Sequence, residues 1–359
     1  MHNSFKISAV AAALQLPNLS RADIEDHLDE LTLLADSIGV NIVDRVIQKK
    51  NSPEAAMWMG RGKIDELAKI MKEKKIRLVI FDDEISSGQI RNIEKIIEGR
   101  VITRAELILD IFAYKARTHE AKMQVEMAKL EFSLTRLRHL WTHLEGQTGG
   151  IGVRGGAGEK QIEVDRQSIK DQIGRHRKKL DSLQKRRSIQ RNLRLGFPVA
   201  AVVGYTNVGK STLINKLSKS DLYVEDKLFA TLDAMTRRTE IAPDRFVLLT
   251  DTVGFIRKFP PQLAASFRST IEEAIEADFL IHVADATHPN LIEQIETVER
   301  FLKELGADEK KMIRVLNKMD TIKKSLEFRK RLPPGNWIPI SAKTGAGIFM
   351  LKESILDML

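Results

Sequence analysis

A glycine-bounded loop runs through Gly204, Tyr205, Thr206, Asn207, Val208, Gly209, Lys210 and Ser211. Glycines at its ends let backbone N–H groups wrap around phosphate oxygens. Lysine can reach the β- and γ-phosphates, and a serine hydroxyl can ligate Mg²⁺. Downstream stand Asp251, Thr252, Val253 and Gly254, then Asn317, Lys318, Met319 and Asp320, then Ser341, Ala342 and Lys343. Asp251 follows an apolar run and is placed to hold the waters around Mg²⁺, while the Gly254 N–H is expected to meet a γ-phosphate. A carboxylate at Asp320 can accept from both N1–H and the exocyclic amine of guanine, a pair that adenine does not offer. Lys318 can lie along the base, and the Ala342 N–H can bond to guanine O6. Four motifs in this order specify GTP, where the phosphate loop alone would specify only a nucleotide.

Between the phosphate loop and Asp251 lies Phe229, Ala230, Thr231, Leu232 and Asp233. Thr231 is the expected threonine to close over Mg²⁺, with Thr236, Thr239 and Thr252 as competitors by residue type. Many GTPases carry a glutamine just after the Asp251-type motif to orient the attacking water. Here Phe255 follows Gly254. Hydrolysis is therefore expected to be slow alone, near about 10⁻⁴ s⁻¹, and to be speeded by a partner. Asn207 could seat K⁺ beside the phosphates, supplying positive charge in place of an arginine.

These groups need a scaffold, and the sequence patterns divide the chain in three. Residues 1–115 alternate helical and strand spacing, as in a small parallel α/β domain. Within them, Ile7 to Leu16 is expected to be a buried strand and not a cleaved signal peptide. Residues 116–195 carry two long helical patterns, Thr118 to Leu144 and Gln161 to about Arg194. The connector Gly146 to Glu159 is glycine-rich and too short for anything but a return. An antiparallel helical hairpin follows, with a glycine tip. Residues 196–359 read as a P-loop GTP-binding domain, a doubly wound α/β sheet with its motifs at strand ends. Strands are expected at Val199 to Val203, Phe246 to Thr250, Phe279 to Ala284, Met312 to Leu316 and Trp337 to Ile340.

Composition narrows the class. The chain has no cysteine, which excludes disulfides, thiolate metal sites and a cysteine nucleophile, and fits a reducing, cytoplasmic setting. No apolar run approaches the ~20 residues needed to span a membrane. The histidines show no metal-ligand spacing, and Met57, Trp58 and Met59 read as packing residues. The net charge of +9 is concentrated between Arg166 and Arg194, where basic side chains are opposed only by Asp171 and Asp181. One-sided charge of this kind favours a polyanion, and nucleic acid is the usual one. Gly60, Arg61, Gly62 and Lys63 ahead of a helix read as a turn, with an ATP phosphate site as the alternative.

The chain resembles the HflX-type GTPases over essentially its whole length. The resemblance rests on Met59 to Lys63, Phe81-Asp82, Gln89-Ile-Arg91-Asn92, Asp110-Ile-Phe-Ala113 and Gln124-Val-Glu126. It continues through Gly149-Gly-Ile-Gly152, Gly158-Glu159, Glu163-Val-Asp165-Arg166 and Phe229 to Asp233. It implies an enzyme that binds the large ribosomal subunit and its rRNA, hydrolyses GTP to GDP there, and splits or rescues stalled ribosomes. It implies Ser211 and Thr231 as Mg²⁺ ligands. Lys210, Thr231 and Gly254 are then expected to act on the reacting phosphate. The chain is expected to act as a monomer. Ribosome assembly, or a nucleotide-sensing module with incidental hydrolysis, are the alternatives. Two departures stand out. The family's Arg-Gly-Pro-Gly-Glu is here Arg154-Gly-Gly-Ala-Gly-Glu159, and the further C-terminal domain of some members is not carried over.

Overall fold

A computed structural model describes residues 7–145, 157–192, 196–218, 235–258, 275–322 and 333–359. The chain divides into two compact units, residues 1–114 with 123–179, and residues 115–122 with 180–359.

The first unit holds a four-stranded parallel sheet in the order β2-β1-β3-β4, from β1 (Ile7–Gln15), β2 (Val40–Lys49), β3 (Leu78–Phe81) and β4 (Arg100–Thr103). The segment weighed as a signal peptide is thus β1, inside the sheet. Its run from Ala9 to Leu14 is buried on both faces, as a central parallel strand requires. Val10, Ala12 and Leu14 face Ile64, Leu67 and Met71 of α2 (Arg61–Glu73) and Ile90, Ile93 and Ile97 of α3 (Ser87–Ile97). Strand alternation turns Ala9, Ala11 and Ala13 to the other face. There α1 (Arg21–Asp36) packs on β1 and β2. Capping boxes start two of these helices: Ser20 Oγ accepts from Asp23 N at 3.1 Å, and Ser86 Oγ accepts from Gln89 N at 3.3 Å. Gly62 and Lys63 lie in the first turn of α2, with Lys63 Nζ bonded to Glu66 at 2.8 Å. Gly60 has an ordinary φ of −65°. This segment is the start of a helix, with Gly60 at its N-cap. Met59 is fully buried, and Met57 and Trp58 pack against the same core.

After α4 (Arg104–Lys115) come α5 (His119–Glu145) and α6 (Ala157–Asn192). Glu126 and Glu131 of α5 meet His176 and Arg177 of α6 at 3.6 and 3.4 Å, so α6 runs back along α5. α6 begins at Ala157, within the segment expected to be connector. Residues 146–156 of that glycine-rich connector lie outside the described residues. On α6, Ile173 is buried, while Lys170, Arg175, Arg177, Lys178 and Lys179 are exposed.

The second unit holds a six-stranded sheet in the order β10-β9-β8-β5-β7-β6. Its strands are β5 (Val199–Gly204), β6 (Met235–Ala242), β7 (Arg245–Asp251), β8 (Phe279–Asp285), β9 (Met312–Asn317) and β10 (Trp337–Pro339). Five are parallel, and β6 runs antiparallel at the edge. β6 is the strand that the sequence patterns did not anticipate. The helices α7 (Lys210–Ser218), α8 (Leu291–Glu304) and α9 (Ile348–Leu356) enclose the core around Val202, Leu213, Leu249, Ile281, Val298 and Leu351. β5 leads into α7 through the phosphate loop, at the carboxyl edge where ligands of such sheets bind.

Candidate functional site

The loop between β5 and α7 depends on its glycines. Gly204 has φ +152°, and a Cβ there would overlap the Val283 carbonyl oxygen of β8. Gly209 has φ +93°, and its Cβ would overlap the Asn317 amide. Asn207 takes the left-handed conformation at φ +60°. Between these points Tyr205 and Val208 turn their side chains inward, where they join the core. The loop's backbone, the exposed Asn207 side chain and the Lys210 and Ser211 ends are left to meet a ligand.

Lys210 is buried, and its Nζ donates to the carbonyls of Gly204 at 3.1 Å and Tyr205 at 2.8 Å. Burial draws this ammonium down to about 8, partly offset by the Asp251 carboxylate. Ser211 Oγ donates to Asp251 Oδ2 at 2.6 Å, so hydroxyl and carboxylate stand together at the N-terminus of α7. This pair of hard oxygen donors beside a helix N-terminus fits Mg²⁺ with its waters and phosphate oxygens. Gly254 lies on the phosphate loop: a Cβ there would stand 2.8 Å from Thr206 Cα and 2.9 Å from Lys210 Nζ. Phe255 has its ring in the core against Phe301, centroids 4.8 Å apart, so its side chain takes no part in the site.

The three competitors for the switch threonine are accounted for elsewhere. Thr252 Oγ1 donates to the Val202 carbonyl at 2.7 Å, Thr236 meets Thr250 at 3.0 Å, and Thr239 is buried in β6. Phe229, Ala230, Thr231, Leu232 and Asp233 lie outside the described residues.

At the base end, Asn317 acts as a brace. Its Nδ2 donates to the Val208 carbonyl at 2.8 Å, and its Oδ1 accepts from Ala342 N at 2.9 Å. One buried amide thus ties the phosphate loop to the Ser341–Lys343 segment. The Ala342 N–H expected to face guanine O6 has this different partner, because the Val208 carbonyl orients the amide with its oxygen toward Ala342. Asp320 is exposed, and Ser341 Oγ donates to its Oδ1 at 2.6 Å. That hydrogen bond holds the carboxyl below its usual range and keeps it ionised. Lys343 is exposed beside it. Met319 packs with Leu291, Ile295 and Leu316, and Val253 is buried, so neither side chain is offered to a ligand, contrary to the whole-motif expectation.

Lys318 Nζ pairs with Asp285 Oδ2 at 2.7 Å, which stretches the lysine across the base end of the site. Asp285 was missed by motif reading. Its place at the end of β8, between the ends of β5 and β9, was the available signal. His282, three residues earlier on β8, is held well below its usual value, to about 3, first by burial and then by Arg314 and Lys210. It is neutral at any ordinary pH. Among the described residues no cluster of metal-binding side chains occurs, and no helix is long and apolar enough to cross a membrane.

Three family models match successive parts of the chain: a GTP-binding GTPase N-terminal region at residues 25–113, a GTP-binding GTPase middle region at 115–194, and a 50S ribosome-binding GTPase at 199–318. The GTPase HflX of Escherichia coli K12 is 41% identical over 344 residues, covering 94% of this chain and 80% of that protein. The GTPase HflX of Chlamydia pneumoniae is 45% identical over 343 residues, covering 94% of this chain and 73% of that one. Among solved structures, SsGBP in its GDP complex is 27% identical, with 97% of this chain and 98% of that chain covered at a TM-score of 0.52.

Proposed function

This chain belongs to the HflX family of GTPases, and we propose that its GTP hydrolysis times attachment to the large ribosomal subunit and the splitting or rescue of stalled ribosomes in the cytoplasm. The observation that carries this reading is the 50S ribosome-binding GTPase match over residues 199–318, joined in one chain to the exposed basic face of α6. Lysines and arginines at Lys170, Arg175, Arg177, Lys178 and Lys179 suit the phosphates of rRNA.

In this reading Lys210 holds the β- and γ-phosphates, and the backbone N–H groups of Gly204 to Ser211 line them. Ser211 and Thr231 would hold Mg²⁺ with Asp251 beside Ser211, and the ion would supply positive charge to the phosphate oxygens. The Gly254 N–H meets the γ-phosphate, so the segment after it senses triphosphate against diphosphate. Asp320 selects guanine, with Asn317 and Ser341 holding the base pocket in shape. Asn207 offers a seat for K⁺, which a comparison of hydrolysis rates in potassium and sodium tests.

Sedimentation with purified ribosomal subunits, in GDP and in a non-hydrolysable GTP analogue, tests the whole. Binding to large subunits in the triphosphate state is expected, with separation of whole ribosomes on addition of GTP. An absence of subunit binding with either nucleotide would sink the proposal. Binding without separation would leave an assembly role in place of splitting.

A further inference from the structure

Tyr205 fills a spacer position in the phosphate-loop pattern, yet it is 4% exposed and its side chain makes a specific contact. Its hydroxyl accepts from Arg257 N at 2.8 Å, while its carbonyl accepts from Lys210 Nζ at 2.8 Å. The same two segments pair through their backbones. Thr206 N donates to the Phe255 carbonyl at 2.8 Å, and Phe255 N donates to the Gly204 carbonyl at 3.1 Å. Three hydrogen bonds therefore fasten residues 255–257 to residues 204–206, and Gly254 is set down on Thr206 and Lys210 by them. Arg257 is fixed at its other end as well. Its side chain is 8% exposed, and its guanidinium reaches Glu293 of α8 at 2.8 Å.

This matters because Phe255 supplies no water-orienting group. Without one, the placement of the Gly254 backbone against Lys210 is what remains on this segment to organise a γ-phosphate. We propose that the Tyr205 hydroxyl and the Glu293 carboxylate form a two-ended clamp on Arg257 that sets the position of Gly254 over the phosphate loop. Both are positioning residues for hydrolysis. Neither needs to touch the nucleotide. The proposal rests on the phosphate-loop reading of Gly204 to Ser211.

The test uses the full chain with Tyr205→Phe, Glu293→Ala and the double variant, in three measurements: fluorescent GDP affinity, single-turnover GTP hydrolysis and thermal melting. Tyr205→Phe keeps the ring and removes one hydrogen bond, so hydrolysis is expected to fall about tenfold. GDP affinity is expected to stay within roughly twofold, since the diphosphate makes no use of Gly254. Glu293→Ala is expected to act in the same direction. The double variant should fall little further than the worse single one, because both contacts act through the one residue, Arg257. Unchanged hydrolysis in both single variants overturns the clamp, and so do losses that simply multiply. A loss matched by an equal loss of GDP affinity reduces Tyr205 to shaping the loop. If Tyr205→Phe melts early, Glu293→Ala decides, since Glu293 is half exposed on the surface of α8. Failure of the unaltered protein to bind GDP would instead remove the phosphate-loop reading itself.

Discussion

At the carboxyl edge of the N-terminal sheet, Arg104 and Asp82 are each 1% exposed and bond to one another, with Glu30 at 2.7 Å from Arg104 and His27 at 3.7 Å from Asp82. At the carboxyl edge of the other sheet, Lys210 is 7% exposed, and its ammonium bonds two backbone carbonyls. Both edges bury a cation where parallel strands end. In the first, two carboxylates answer it and side chains fill the space. In the second, Gly204, Gly209 and Gly254 clear the space, and the cation is drawn down to about 8 by desolvation. A buried ammonium whose partners are neutral gains most from an arriving phosphate. The two sheets share a ligand-binding topology, but the side chains at their edges seal one and prepare the other.

Removing Arg104 tests the seal most severely. Arg104→Ala leaves Asp82 buried without its cation, which is expected to destabilise the first unit by about 3–5 kcal/mol. GDP affinity of the folded fraction should be unchanged, as measured by fluorescence titration beside a denaturant melt. A loss of nucleotide binding with intact stability would break the comparison. Lys210→Ala is the opposite case. Hydrolysis is expected to fall by about 10²–10³-fold through loss of charge at the phosphates. Stability should hold or rise, because a desolvated cation is taken out. Parallel steady-state kinetics and melting check both halves.

Asp320 sharpens the contrast among carboxylates. Asp82 is buried and paired, whereas Asp320 is exposed and held by the Ser341 hydroxyl, its own backbone N–H and nearby lysines. Asp320→Ala should therefore leave the melting temperature close to that of the unaltered protein, as for other exposed side chains. It should erode preference for guanine over adenine nucleotide by about 10²-fold, read from competition binding. Equal loss of both nucleotides would place Asp320 in the frame and not in base selection.

How far the sequence could be read follows from which residues act locally. Glycine positions, strand ends and the alternation of β1 through α4 are local, and they were legible. β6 was not, although Pro243 and Asp244 (φ +59°) mark the hairpin turn into β7. Its stretch Met235–Ala242 carries Arg237, Arg238 and Glu240, the charge expected of an edge strand, and so lacks a clean apolar pattern. The motif spacing named Asn317 without saying that it would brace Val208 to Ala342. It treated Tyr205, Val208, Val253 and Met319 as equal to their neighbours, yet packing turns their side chains inward. Asp285, Arg257 and Glu293 belong to no motif, since their roles exist only after distant strands and helices meet.

The smallest effect separates the edges by pH. In the unfolded chain Lys210 titrates near 10.5, and in the fold it is drawn down to about 8. Below the lower value both states are protonated, so burial costs a constant amount. Between the two, the unfolded chain binds more protons, and this group makes stability rise with pH. Phosphate binding has the reverse sign, because a neutral amine must first take up a proton. Affinity for GDP should be level up to about pH 8 and then fall by as much as about tenfold per unit. His282 does not blur the window, since it is already neutral there. Lys210→Arg supplies the control: a guanidinium stays charged, so whatever its absolute affinity, its profile should be flat from roughly pH 7 to 9. A flat profile in the unaltered protein would mean that Lys210 is answered as fully as Arg104, and the contrast between the two edges would be lost.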